Sequence, residues 1–167
     1  QIIELIKREV VPAIGCTEPM AVALASAKAS EVLGKTPQRI EVFLSANVLK
    51  NAMGVGIPGT GMIGLPIAIA LGALIGKSAY GLEVLRDVDS ESLTNGKALI
   101  EKKCIQISLK EQVDKLYIEV ICHYEEEFAK VIITKEHTHI VYIEKNNNVL
   151  LDQQIDDSSE NRKDKTT

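Results

Sequence analysis

Apolar and polar positions change period once along this chain, near Lys103. Before it the spacing is helical. Ile2, Ile3, Leu5, Ile6 and Val10 recur at helix intervals with Glu4, Lys7 and Arg8 turned outward, which predicts a helix over 2–13 that ends at Pro12 and Gly15. Thr17 is placed to cap a second helix, with Pro19 in its first turn, through AVALASAKASEVL to Gly34. Residues 39–46 alternate as a strand, with Ile40, Val42 and Leu44 on one face. A buried helix is expected over 65–76, a short one near 81–85, and another that starts at Asp89.

After Lys103 the period is two. Ile105, Ile107 and Leu109 alternate with polar partners, as do Leu116, Ile118, Val120 and Cys122, and the pattern continues over 128–134 and 138–144. This predicts an antiparallel meander of about four strands, with a fifth at 149–151. Helices first and strands later mark an α+β class. The expected organisation is one domain over 1–151, as part of a longer protein, and a polar linker or disordered tail over 152–167.

The longest interruption in the charge pattern is Asn51–Gly76, 26 residues without a charged side chain. It holds Gly54, Gly56, Gly59, Gly61 and Gly64 within eleven positions. Packing seldom calls for so many glycines, because each adds conformational entropy that folding must overcome. The run therefore reads as the floor of a site. A membrane span needs roughly 20 apolar residues, and the helical part of this run is shorter, so a buried helix is the expectation. Gly54-Val-Gly56-Ile-Pro-Gly59 matches GxGxxG literally, yet it does not follow a strand directly and Pro58 interrupts it, which argues against a dinucleotide site. Gly59 is followed by Thr60-Gly61 with no lysine, so a triphosphate cradle is also excluded.

Composition narrows the partners. A net charge of −4, scattered Lys and Arg, and 4% aromatics give no surface for nucleic acid. Three cysteines suit a reducing compartment, and the expected location is the cytoplasm without membrane attachment.

Candidate chemistry lies in three places. Cys16 precedes a helix start, where the dipole favours a thiolate; the plainer reading is a small buried residue at a tight turn. Ser45, Asn47, Lys50 and Asn51 form a polar cluster able to grip a small zwitterion, or equally a turn closed by asparagine side chains. His137 and His139 stand two apart, so on a strand they share a face; a zinc site would need more ligands, with His123 brought in, and a hydrogen-bonded pair fits the pattern better. Cys122 shares a face with apolar residues and belongs to the core, while the role of Cys104 is open.

Taken together, GCTEP at 15–19, SANVLKNAMGVGIPGTGMIGLPIA at 45–68 and HTHIVYIEKN at 137–146 resemble the L-cysteine desulfidase family, which is related to the α-portion of iron–sulfur L-serine dehydratases. Ala46 and Ala52 stand where many members carry glycine. The resemblance implies a [4Fe–4S] cluster without pyridoxal phosphate, with Cys16 as one ligand and the others in a helical C-terminal domain absent from this chain. It implies elimination from L-cysteine to sulfide, ammonia and pyruvate, with L-serine as the alternative substrate. Separately, absence of that domain would leave the helix over 65–76 exposed, a surface through which a homo-oligomer is expected to form. Asn47, Asn51 and Thr60 would orient the substrate beside Ser45. Main-chain N–H groups at Gly59 and Gly61 would receive its carboxylate, and Lys50 would be a catalytic charge partner. A non-catalytic binding or interaction module is the competing expectation.

Overall fold

The computed structural model describes residues 17–54, 56–57 and 62–153, with the backbone alone at 62 and 63. The helix expected over 2–13 and the tail beyond 153 lie outside the described residues.

Helix α1 spans Thr17–Leu33 and β1 spans Arg39–Leu44. Helix α2, Ala46–Ala52, leads into a pair of two-residue strands, β2 at Gly56–Ile57 and β3 at Met62–Ile63. Helix α3 runs over Leu65–Ile75, a 3-10 turn over Ser78–Glu83, and α4 over Ser90–Glu101. Strands β4 (Ile105–Leu109), β5 (Tyr117–Tyr124), β6 (Glu127–Thr134), β7 (Ile140–Lys145) and β8 (Asn148–Asp152) complete an α+β fold.

Two expectations change in three dimensions. β4 is not a meander strand: the sheet order is β4-β1-β5-β6-β7-β8, and β4 pairs parallel to β1, Ile40 beside Ile105. Alternation records that one face is buried, but the partner is chosen by the helices that carry the chain across. The meander is β5 to β8, closed at Asn146 and Asn147, both at positive φ as a two-residue hairpin turn requires. The second change is at 45–51. Ser45 is the N-cap of α2, its hydroxyl accepting from the Val48 N–H, so the polar cluster is a helix and not a loop.

One face of the sheet, with Ile40, Val42, Ile118, Val120, Cys122, Ala129 and Val131, packs against the alanine-rich face of α1. α1 lies between the sheet and α3. Leu65 to Ala73 are buried apart from Pro66, so α3 is a core helix inside this chain and is not exposed for lack of a partner. Its glycine explains the close approach: a Cβ at Gly72 would lie 2.4 Å from the Ala23 carbonyl oxygen.

α4 begins with a capping box, the Asp89 carboxylate accepting from the Ser92 N–H at 2.8 Å and the Ser92 hydroxyl accepting from the Asp89 N–H at 2.8 Å. The backbone N–H of Ser92 holds the Asp89 carboxyl below its ordinary value. A depressed folded-state pKa contributes stability above the unfolded value of about 3.9, which is lost as pH falls through the folded value. Asp89→Asn is expected to lower the urea midpoint at pH 6 and to narrow its gap from the parent protein at acid pH, measured by fluorescence or circular dichroism across that range.

Candidate functional site

α1 and α3 run parallel. Gly72 meets Ala23 and, one turn on, Gly76 meets Ala27, the same offset in the same direction. The Ser30 hydroxyl donates to the Ala73 carbonyl at 2.8 Å and clamps the pair further along. Carried back along both helices, that register sets Leu65 near the first residues of α1. The two helix starts therefore lie at one end of the packed pair, where the helix dipoles favour an anion.

The glycine-rich run lies at that end. β2 and β3 pair antiparallel, Gly56 with Ile63 and Ile57 with Met62, so the run is a small hairpin. It leaves α2 at Met53 and returns at Gly64, whose φ of 97° is in the left-handed region and whose Cβ, if present, would press on the Met53 carbonyl. Ile57 is buried in a cluster with Met20, Ala23 and Ile67, which fixes the hairpin to the first turns of α1 and α3. GxGxxG in a hairpin stem has none of the strand-to-helix geometry that a dinucleotide needs.

Cys16, Gly59, Thr60 and Gly61 lie outside the described residues. Ser45 is buried and committed to structure: its hydroxyl donates to the Lys115 carbonyl at 2.5 Å as well as capping α2. Asn47, Lys50 and Asn51 are exposed on α2. Asn47 and Ser45 border an open groove of about 400 Å³ with Lys110, Asp114 and Lys115, whereas Lys50 and Asn51 sit in the half of α2 nearer Met53. Lys50 is open to solvent and is not enclosed by a site.

The histidines do not act as a set. His137 and His139 precede β7 in a turn and are not on a strand. His139 Nε2 lies 3.3 Å from Gln153, and His123 Nε2 lies 2.8 Å from Glu41 on the far face of the sheet. His137 Nε2 lies 3.2 Å from Glu18 Oε2, across 119 residues of chain, at the start of α1. Glu18 is the residue that sequence reasoning passed over. An acid in the first turn is ordinary helix chemistry, and nothing in the sequence pairs it with His137.

Neither of the other cysteines fits an iron–sulfur cluster. Cys122 is buried in the core between α1 and the sheet, and burial pushes its thiol up to about 12. The Cys104 thiol donates to the Leu99 carbonyl at 3.6 Å. Among the described residues no group of three His, Cys, Asp or Glu is placed to hold a metal. A thiol held neutral and enclosed cannot ligate or react until the fold opens. With a disulfide reagent Cys104 is expected to react orders of magnitude faster than Cys122, whose rate should follow global unfolding across a urea series.

The chain is 70% identical over 152 residues to a UPF0597 protein of Parabacteroides distasonis, 91% of this chain and 35% of that protein. It is 52% identical over 157 residues to a UPF0597 protein of Porphyromonas gingivalis, 93% of this chain and 36% of the relative. A UPF0597 protein of Aeromonas salmonicida is 49% identical over 151 residues, 90% and 34%. The chain thus spans about a third of the length of the curated relatives it matches. No family model matches it, and no solved structure does.

These findings overturn the assignment to the L-cysteine desulfidase family: close relatives over nine-tenths of the chain carry another designation. The physical reason is that GCTEP and the glycine run describe backbone geometry, a helix start and a hairpin. Such geometry recurs without specifying chemistry.

Proposed function

We propose that this chain supplies the substrate-anchoring part of a lyase that eliminates the β-substituent of a small amino acid, L-cysteine or alternatively L-serine, yielding pyruvate and ammonia. The observation that carries the reading is the parallel register of α1 and α3, with Gly72 on Ala23 and Gly76 on Ala27. It sets two helix starts side by side, and the Ile57–Met20 contact sets the glycine hairpin against them. An amino-acid carboxylate suits that end by charge and by hydrogen bonding. Cys16, one peptide before α1, would carry the thiolate of the site. Any [4Fe–4S] cluster would need its other thiolates from outside the described residues, and no step is derived through one. The remaining groups of the site are assigned to a helical C-terminal region of the complete protein.

No helix among the described residues is long and apolar enough to cross a membrane. Free thiols at Cys104 and Cys122 suit a reducing compartment, and the proposed location is the cytoplasm.

The test is an anaerobic assay of the complete protein for sulfide and pyruvate from L-cysteine, and for pyruvate from L-serine. Formation of pyruvate, abolished by Cys16→Ala, supports the reading; no product from either amino acid overturns it. The groove beside Ser45 and Asn47 favours a second reading, a binding module without turnover. Calorimetric binding of an amino acid that is weakened by Asn47→Ala and indifferent to Cys16→Ala would establish that one instead.

A further inference from the structure

We propose that the sheet face turned away from α1 is a docking surface, and that its occupant is a layer supplied by the remaining two-thirds of the complete protein. The inference stands apart from the lyase reading, because it concerns how the domain is covered and not what it turns over. Cross-strand pairing sets Glu41 beside Ile121, Ile121 beside Lys130 and Lys130 beside Glu144, one row across this face. The next row is Phe43, Glu119, Ile132 and Tyr142. Phe43, Ile121 and Ile132 have no place in the core that α1 shares with the other face.

The two central strands are patterned for cover on both sides. An antiparallel sheet with one wet face alternates apolar and polar residues. β5 instead reads Tyr117, Ile118, Val120, Ile121 and Cys122, with Glu119 the sole charged residue among them. β6 reads Phe128, Ala129, Val131, Ile132 and Ile133, interrupted by Lys130 alone. Those two interruptions pair with each other, Lys130 Nζ lying 3.6 Å from Glu119 Oε2. Glu41 is matched as well, by His123 at 2.8 Å and Arg39 at 3.3 Å. These carboxylates carry their partners with them, so a covering layer isolates neither.

Both phenylalanines of the chain, Phe43 and Phe128, stand on this face, on either side of Ile121. All three are half-buried and belong to none of the apolar clusters of the described residues. Val113 reaches one corner only, where it packs with Tyr117, Ile132 and Tyr142. In the relatives the matched segment is about a third of the length, so the larger part of each protein is tethered to this domain. A tethered region meets the face at a higher local concentration than a second copy does. Gln153 follows β8 at an edge of the same sheet, so chain running on from there starts beside the face. The occupant is accordingly an apolar surface of that region, without unpaired charge at its centre, laid across Phe43, Ile121 and Phe128.

The test is hydroxyl-radical footprinting of the complete protein, read by mass spectrometry at Phe43, Phe128 and Tyr142 and referred to the urea-unfolded protein. Side chains left half-buried should be slowed by less than about tenfold, whereas under a packed layer all three should be slowed by about a hundredfold, as the dry centre of an interface is. The protection should persist on dilution of the protein to nanomolar concentration. The occupant is then identified by photo-cross-linking, with p-benzoylphenylalanine placed at Phe43 and, separately, at Phe128, so that one misfolded variant does not decide the outcome. Cross-links within one chain, to peptides beyond the span described above, support the proposal. Slowing of less than about tenfold at Phe43 and Phe128 overturns it, since a covered face excludes solvent. Cross-links that join two chains, or protection lost on dilution, overturn it in favour of a second copy. Cross-links to residues 1–16 or 154–167 overturn it in favour of cover from within this chain, and absence of any cross-link at both positions overturns it as well.

Discussion

Gly72→Val is expected to destabilise the fold by about 3 kcal/mol or more, at the upper end of overpacking costs. A Cβ there would lie 2.4 Å from the Ala23 carbonyl oxygen and 3.1 Å from that residue's carbonyl carbon and Cα. These are backbone atoms in the middle of a core helix, so no rotamer change relieves the clash. α3 must instead move away from α1, which also breaks the bond from the Ser30 hydroxyl to the Ala73 carbonyl. The shift reaches the candidate site, because Ile57 holds the glycine hairpin against Met20 and Ile67 at the starts of the two helices. Urea unfolding followed by circular dichroism measures the loss. A change below about 1 kcal/mol, the ordinary helix-propensity scale of glycine, would show that the helices are not locked at this crossing.

Glu119→Ala is expected to cost about 3 kcal/mol, in the range for removing one partner of a buried, hydrogen-bonded charge cluster. The Glu119 carboxylate, its side chain 5% exposed, accepts from the Tyr117 hydroxyl at 2.7 Å. Lys110 Nζ lies 3.3 Å from it and Lys130 Nζ 3.6 Å. Burial and the neighbouring carboxylate raise the Tyr117 phenol well above its ordinary value, so it remains a donor throughout the neutral range. Removing Glu119 leaves that hydroxyl without its acceptor and two ammonium groups without their shared counter-charge. Tyr117→Phe in the Glu119→Ala background should then be less damaging than in the parent, by about 1 kcal/mol, the worth of one such hydrogen bond. Additive losses in the double mutant would show that the two residues are not coupled.

Much of the architecture is legible before folding is considered. Alternation from Tyr117 onward locates β5 to β8, Asp89 with Ser92 marks the start of α4, and the uncharged run marks α3 as buried. Each is a local signal, written in residues close together in sequence. β4 reads equally well as a meander strand, because a period of two says which face is buried and nothing about which strand lies alongside. The cluster at 45–51 reads as a turn for a similar reason: asparagine and serine serve both turns and helix caps, and the choice fell to the helix when Ser45 capped Val48.

The candidate site divides along the same line. Sequence alone determined that a thiol precedes a helix, that glycines crowd one loop, and that two histidines stand two apart. Tertiary structure alone decided that α1 and α3 run parallel, that the hairpin packs on Met20, and that His137 reaches Glu18 and leaves His139 to Gln153. Helix starts, strand periods and turns depend on neighbours within a few residues, and local chemistry suffices to encode them. The meeting of Glu18 with His137 spans 119 residues and depends on the packing of α1 against the sheet, an outcome of the whole core that no short segment carries.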